Sequence, residues 1–377
     1  MGVLIRDHVG DLVDRMDLVD HHCHGISTGE LDGSGVEELL GEGGPPPPGT
    51  SSFDTPVGLA VRRHCAPVLD LEPHASRRDY LDRRRELGVA EVSRRFLAGT
   101  GTSRYCVDTG FRPDGLTTPE QLARIAGGRG HHVVRLETVA EALAAGGVEP
   151  GEFAARYAER LAETVRSVSA VGVKSVAAYR VGLDLDPAPP SPAEVTAAAA
   201  EWLRDGGRRL DHPVLTRATL AAAVELGRPI QFHVGFGDAD IRLSRVDPTL
   251  LTDWLHRHRV PVLLLHCWPY HRQASWLAAV HPHVHLDVGL TLHYVGPTRG
   301  AAVLAEAAEM APFDKLLYSS DAYGLPEFYH LAALTFRRAL GGLLAERVAD
   351  GEWSPADAAR IARLVGHGNA VRVYGLE

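Results

Sequence analysis

Eight short apolar segments, each followed by a stretch of helical character, constrain this chain more than any other feature. They cover residues 18–25, 103–108, 132–137, 171–177, 229–234, 260–266, 284–288 and 315–321. Amphipathic patterns fill most of the intervals, at 119–126, 152–169, 192–204, 213–226, 247–257 and 301–310. Strand and helix in alternation imply parallel strands, because a strand can return in the same direction only through a long crossover. Eight such strands are the number that closes into a barrel filled by its own side chains. The expected fold is α/β, a (β/α)8 TIM barrel, with an open doubly wound sheet as the alternative.

One interval breaks the rhythm. Residues 26–100 are far longer than an ordinary connection, with helical patterning around Leu59, Leu69, Leu81 and Leu87. Such extensions are commonly lids, so a helical cap inserted after strand 1 is expected, within a single domain spanning 1–377. Inside it, Gly41-Glu42-Gly43-Gly44-Pro45-Pro46-Pro47-Pro48-Gly49 blocks helix and ladder alike and reads as a loop.

Composition excludes several classes of function. The chain has 377 residues, 45% of them hydrophobic, enough for a large core. Its 48 acidic and 39 basic residues give a net charge of -9, which argues against a nucleic-acid partner. The basic clusters Arg62-Arg63, Arg77-Arg78, Arg83-Arg84-Arg85 and Arg94-Arg95 are interleaved with acids and read as solvated helix faces. The first residues lack the apolar core and cleavage site of a secretory signal, and Arg6 stands where a myristoylation site has Ser or Thr. No apolar run approaches the roughly 18 residues that span a bilayer. A cytoplasmic protein without membrane contact is expected, and Cys23, Cys65, Cys106 and Cys267 show no disulfide or zinc-knuckle spacing.

Chemistry concentrates at the carboxyl ends of the apolar segments. In Leu18-Val19-Asp20-His21-His22-Cys23-His24, strand alternation places His22 and His24 on one face and His21 and Cys23 on the other. Two imidazoles on one rigid strand end make a nitrogen claw for a metal, although buried histidines also occur as ordinary hydrogen-bonding residues. Lys174 stands in the fourth segment, His233 in the fifth, His266 ends the sixth and Asp321 the eighth. One polar group at such a place can be a structural cap. Five strands aiming such groups at one poorly solvated mouth point to a metal site.

These motifs resemble the amidohydrolase superfamily of metal-dependent barrels. They are Val19-Asp20-His21-His22-Cys23-His24, Gln231-Phe232-His233-Val234-Gly235, Leu264-Leu265-His266-Cys267 and Leu317-Tyr318-Ser319-Ser320-Asp321. Within it, Gly172-Val173-Lys174-Ser175-Val176-Ala177-Ala178-Tyr179-Arg180, Gly235-Phe236-Gly237-Asp238-Ala239-Asp240 and Gly368-Asn369-Ala370-Val371-Arg372-Val373-Tyr374-Gly375 are similar to the branch holding γ-glutamylamide hydrolases and FluG-type amidohydrolase regions. The resemblance covers nearly the whole chain and is weakest over 26–100.

It implies that His22, His24, His233 and Asp321 hold a divalent metal, with His266 as a further ligand or as the group that polarises the substrate. Zinc is the expected ion, with manganese, iron or nickel as alternatives. Lys174 is either a carbamate that bridges two ions or an ammonium bound to Asp321 or to a substrate carboxylate. The implied reaction is hydrolysis of a C–N amide bond in a small polar molecule, with Asp321 moving the proton. A decarboxylase on the same barrel and a non-catalytic regulatory relative are the rivals. Arg180 and Arg112 can each pair with a substrate carboxylate or form a structural ion pair. Asp238 and Asp240 can bind a substrate amine or shape an Asx turn. His285, Asp287, His281, His283, His256 and His258 are not expected to be ligands, and a homo-oligomer is expected from precedent in the superfamily.

Overall fold

The structure is a computed structural model that describes residues 10–111 and 114–376. Seven parallel strands form one sheet in chain order: β1 Leu18–Cys23, β2 Thr102–Asp108, β3 Arg129–Arg135, β4 Gly172–Ser175, β5 Ile230–Val234, β6 Val262–His266 and β7 Val284–Leu286. The eighth segment makes too few ladder bonds to be a regular strand, yet it joins both edges. Leu316 bridges Leu286 in parallel, and Leu317 N donates to Leu286 O at 3.0 Å. On its other side His21 N donates to Tyr318 O at 3.2 Å and Asp321 N to His22 O at 3.0 Å. The curled sheet therefore closes on itself through the segment that carries Asp321, as a barrel requires.

Two differences from the sequence reading matter for the site. β3 starts three residues earlier than expected and stops at Arg135, because Leu136 and Glu137 open a helix, Leu136–Ala145, that apolar periodicity did not reveal. Glu137 is buried there, and its Oε1 accepts from Ser175 Oγ and Val176 N, both at 2.9 Å, pinning the end of β4. In β1 the register against β2 slips between Asp20 and Cys23. The ladder is irregular there, yet His22 and His24 still share one face, and His21 on the other is hydrogen-bonded as well as packed: its Nε2 lies 2.9 Å from Asp287 Oδ2 and its Nδ1 3.1 Å from Tyr374 Oη.

The main core packs Leu18, Val134, Val173, Phe232, Val234, Leu264 and Leu286 against the surrounding helices. A smaller cluster joins the other strand faces, Val19, Cys106, Val133, Leu263, Leu265 and Leu317, to the C-terminal helix Asn369–Tyr374 through Ala370 and Tyr374. That helix plugs the end of the barrel remote from the site.

Residues 26–100 do not all cover the mouth. The helix Arg77–Ala98, interrupted at Gly88 (φ 75°), packs against the helices Pro119–Ala126 and Pro326–Ala349 and so belongs to the outer ring. The expectation that its arginines are all solvated fails at Arg84. Its side chain is buried and its Nε donates to Glu327 Oε1 at 2.8 Å, which also accepts from Tyr80 Oη at 3.0 Å. Of the interval, only the stretch around Glu38 to Gly44 reaches the cavity at the barrel mouth. Replacing Arg84 by Ala leaves a buried carboxylate unpaired, and we expect a loss of about 3–5 kcal/mol. Urea unfolding should show a lower midpoint with an unchanged slope; an unchanged midpoint contradicts this.

Candidate metal centre

β1 delivers two imidazoles whose protons are assigned by their outer partners. His22 Nδ1 lies 2.9 Å from Gln231 Oε1, and the Gln231 amide is oriented by donating from Nε2 to His21 O at 2.8 Å and to Tyr374 Oη at 2.7 Å. The amide oxygen must therefore face His22, which donates from Nδ1 and keeps a lone pair on Nε2. His24 Nδ1 lies 3.2 Å from the backbone oxygen of Asp108, so its Nε2 is likewise an acceptor. Burial pushes the His22 pKa down to about 3, which keeps that ring neutral.

Both bare nitrogens face the same oxygen. Asp321 Oδ1 lies 3.0 Å from His22 Nε2 and 3.4 Å from His24 Nε2, and it has no hydrogen-bond partner although it is buried. These three groups are the one set among the described residues whose ligand atoms lie within 4.8 Å of one another. Lone pair against lone pair at this distance is repulsive unless a positive charge sits between them. Lys174 supplies part of that charge: its Nζ lies 3.3 Å from His22 Nε2, and burial brings its pKa down to about 8 against the pull of Asp108 and Asp321. Among the described residues, however, Lys174 forms no ion pair with Asp321, whose Oδ1 lies 3.4 Å from His24 Nε2. The donor set of two neutral imidazoles and a carboxylate therefore fits a divalent cation.

The remaining residues predicted for the site surround this cluster. His266 Nε2 lies 3.6 Å from Asp321 Oδ2, and neither of its buried ring nitrogens has a hydrogen-bond partner. His233 lies against it with ring centroids 4.6 Å apart; its Nε2 donates to Phe236 O at 3.0 Å, leaving Nδ1 as the acceptor. His233 is outside the compact triplet but lines the same cavity of about 290 Å³ as His22, His24, Lys174, His266 and Asp321. His266 and Asp321 have left-handed backbones (φ 67° and 49°), a conformation that costs of order 1–3 kcal/mol in a non-glycine residue. Asp287 offsets that strain by accepting from His266 N at 2.9 Å and Gly289 N at 2.8 Å.

Arg180, Asp238 and Asp240 line the cavity, each with a structural tie as well. Arg180 lies 3.3 Å from Glu141, Asp238 Oδ1 accepts from Asp240 N at 2.9 Å in an Asx turn, and Asp240 pairs with Arg209 at 3.0 Å. Arg112 lies outside the described residues. The sequence reading missed Gln231, which period-two spacing from His233 signals, and Arg135, whose guanidinium grips Asp108 at 2.5 Å. It also missed Glu42, which burial and nearby carboxylates push up to about 7 and which accepts from Tyr294 Oη at 3.1 Å. Its place in a glycine- and proline-rich loop carried no signal.

Removing the proton assignment should weaken metal binding. Gln231→Leu is expected to lower affinity about 10- to 100-fold in a chelator competition, and unchanged affinity would refute the assignment. Acid provides a second check. An unfolded His22 titrates near 6.5 and the folded one near 3, so the unfolded chain binds more protons between these values. The contribution of His22 is full above pH 6.5 and is lost as pH falls toward 3. The metal-free protein should lose stability on acidification through this window more steeply than His22→Asn, as read by urea midpoints.

Comparison with known proteins places this geometry. The sequence profile of the family described as "Amidohydrolase" matches residues 120–376, more than half of the chain. Protein fluG of Emericella nidulans is 31% identical over 240 residues, 59% of this chain but 28% of that protein, so the chain spans well under half of its relative. A crystal structure from Lactobacillus casei, of a protein provisionally described as a metal-dependent hydrolase, superposes with TM-score 0.85 at 28% identity over 98% of this chain and 97% of that one. The uronate isomerase of Thermotoga maritima shares the fold, with TM-score 0.67 at 12% identity over 98% and 97% of the two chains. No helix among the described residues is long and apolar enough to cross a membrane. By its sequence profile, and with the fold and donor set to match, this chain belongs to the amidohydrolase family.

Proposed function

We propose that the chain is a metal-dependent hydrolase that cleaves the C–N bond of a small polar amide, with γ-glutamyl amides as the substrate class. The observation that carries this reading is the acceptor-only convergence of His22, His24 and Asp321 in a cavity that also holds His233, His266 and Lys174. Family membership supports hydrolysis, and the γ-glutamyl class is taken from the branch that the Lys174 and Gly235–Asp240 motifs resemble.

In this reading His22, His24, His233 and Asp321 hold a divalent cation, zinc for preference, with His266 and a carbamate of Lys174 available if two ions are bound. Such a cation would supply Lewis acidity, lowering the pKa of water to roughly 7. Asp321 takes the proton of the attacking water and delivers it to the leaving nitrogen, which cannot depart as an anion. His266, kept neutral by burial and free at both nitrogens, donates to the oxygen on which charge develops. Arg180 on the cavity wall faces the substrate carboxylate. The stretch around Glu38 to Gly44, the part of 26–100 that borders the cavity, contributes to substrate selection.

Metal-loaded protein in ¹⁸O water should release free amine from γ-glutamyl amides and place one ¹⁸O in the acid product. Carbon dioxide release without ¹⁸O uptake, or inertness toward a broad amide panel, overturns the proposal. Asp321→Asn should lower turnover about 100- to 10,000-fold while part of the bound metal is retained. Turnover within a few fold of the wild type would remove Asp321 from the proton path.

A further inference from the structure

A second lobe of about 160 Å³ adjoins the cavity, and the scheme above leaves its occupant unassigned. It shares Asp321, Glu42 and Asp238 with the main cavity, is walled on one side by residues of the proline-rich segment, and ends on His293 and Phe328. What its polar walls offer is acceptors. His293 is 4% exposed, and its Nε2 donates to Ser320 O at 2.7 Å. Its Nδ1 is thereby left as a lone pair with no hydrogen-bond partner. Of the two tyrosines at this wall, Tyr294 donates its hydroxyl proton to Glu42. Burial, Asp321 and Asp238 act against the Glu42 carboxylate, while Tyr294 and His24 favour it. Among the described residues neither Glu42 nor Asp238 forms an ion pair, whereas Arg180 and Arg209, which line the main cavity, do. Tyr323 and Phe328 add aromatic surface of the kind that attracts a cation, while Phe111 already carries the Arg135 guanidinium 5.3 Å from its ring centre.

We propose that this lobe receives an ammonium group carried by the leaving amine, so that the substrate is the amide of a short diamine. The proposal rests on the hydrolase reading and extends it. Because Asp321 borders both lobes, the scissile bond lies between them, with the acyl part toward Arg180 and the amine toward Glu42. In the reaction the acyl C–N bond breaks and a C–O bond forms to the water oxygen. The proton taken from water goes to the departing nitrogen, while the distal ammonium stays in the acceptor lobe.

The test compares the γ-glutamyl amide of 1,4-diaminobutane with that of n-pentylamine, which has the same length and no second charge. The wild type should favour the charged amide at least about tenfold in kcat/KM, because a site with two carboxylates outside any ion pair and a bare imidazole nitrogen rejects a ligand that cannot donate to them. Glu42→Gln and Asp238→Asn, each checked for an unchanged unfolding midpoint, should bring that ratio toward one. A wild-type ratio of one or below, or a ratio that neither variant moves, overturns the proposal. Calorimetric binding of 1,4-diaminobutane against butane-1,4-diol separates the two readings. If no amide is cleaved but the diamine binds and Glu42→Gln weakens it, the hydrolase reading fails and the lobe stands. If the diamine does not bind, or binds Glu42→Gln equally well, the lobe assignment falls whatever the activity.

Discussion

Three acceptors meeting without a proton between them are the constraint on which the rest of this structure depends. A neutral imidazole placed 3.0 Å from a carboxylate oxygen normally donates to it, and here His22 cannot, because Gln231 already holds its proton on the far nitrogen. His24 is fixed in the same sense by the Asp108 carbonyl. The arrangement is unfavourable in an empty low-dielectric cavity and favourable around a cation, where each lone pair becomes a ligand. Lys174 relieves it at His22 only, which leaves the contact of His24 with Asp321 as the place where added positive charge is required.

The barrel is built to enforce that meeting. Asp20 lies two residues before His22 and reaches the closing segment, where its Oδ1 accepts from Ser320 N at 2.9 Å and its Oδ2 from Ser320 Oγ at 2.5 Å. Burial pushes its pKa up to about 7, and the paired donors on Ser320 counter that. The clasp sets the residue next to Asp321 against the strand that bears the histidines. From the other end, Tyr374 on the C-terminal helix touches both His21 and Gln231, so the plug of the barrel also steadies the proton assignment above it. Left-handed backbones at His266 and Asp321 then turn those side chains inward, at a local cost that the surrounding hydrogen bonds offset.

The sequence made much of this legible because the relevant signals are local. Alternation of apolar and helical stretches pointed to parallel α/β structure, the polar residues at the strand ends favoured a barrel over an open sheet, and a polar residue closing an apolar run marked His266 and Asp321 before their neighbours were known. His22 and His24 followed from period two alone. Signals failed where the cause was not local. Alternation turned His21 away from the claw, but its hydrogen bond to Asp287, 266 residues further on, has no local signal. Arg84 sits among other arginines in the sequence, and only the packing of its helix against Glu327 makes it a buried partner. Glu42 faces the site because a proline-rich loop folds over it, and loops of that composition carry no periodicity from which a direction can be read.

The central claim is that His22, His24 and Asp321 are shaped for a cation that this chain binds tightly. The direct measurement is the metal-to-chain ratio of the protein after equilibration with zinc and removal of free ions, for the wild type and for a chain with both His22 and His24 replaced by Ala. The account predicts one or two ions per wild-type chain, two if a carbamate of Lys174 bridges them, and loss of at least one in the double variant. A wild-type ratio near zero, or one that survives the loss of both histidines unchanged, would contradict it.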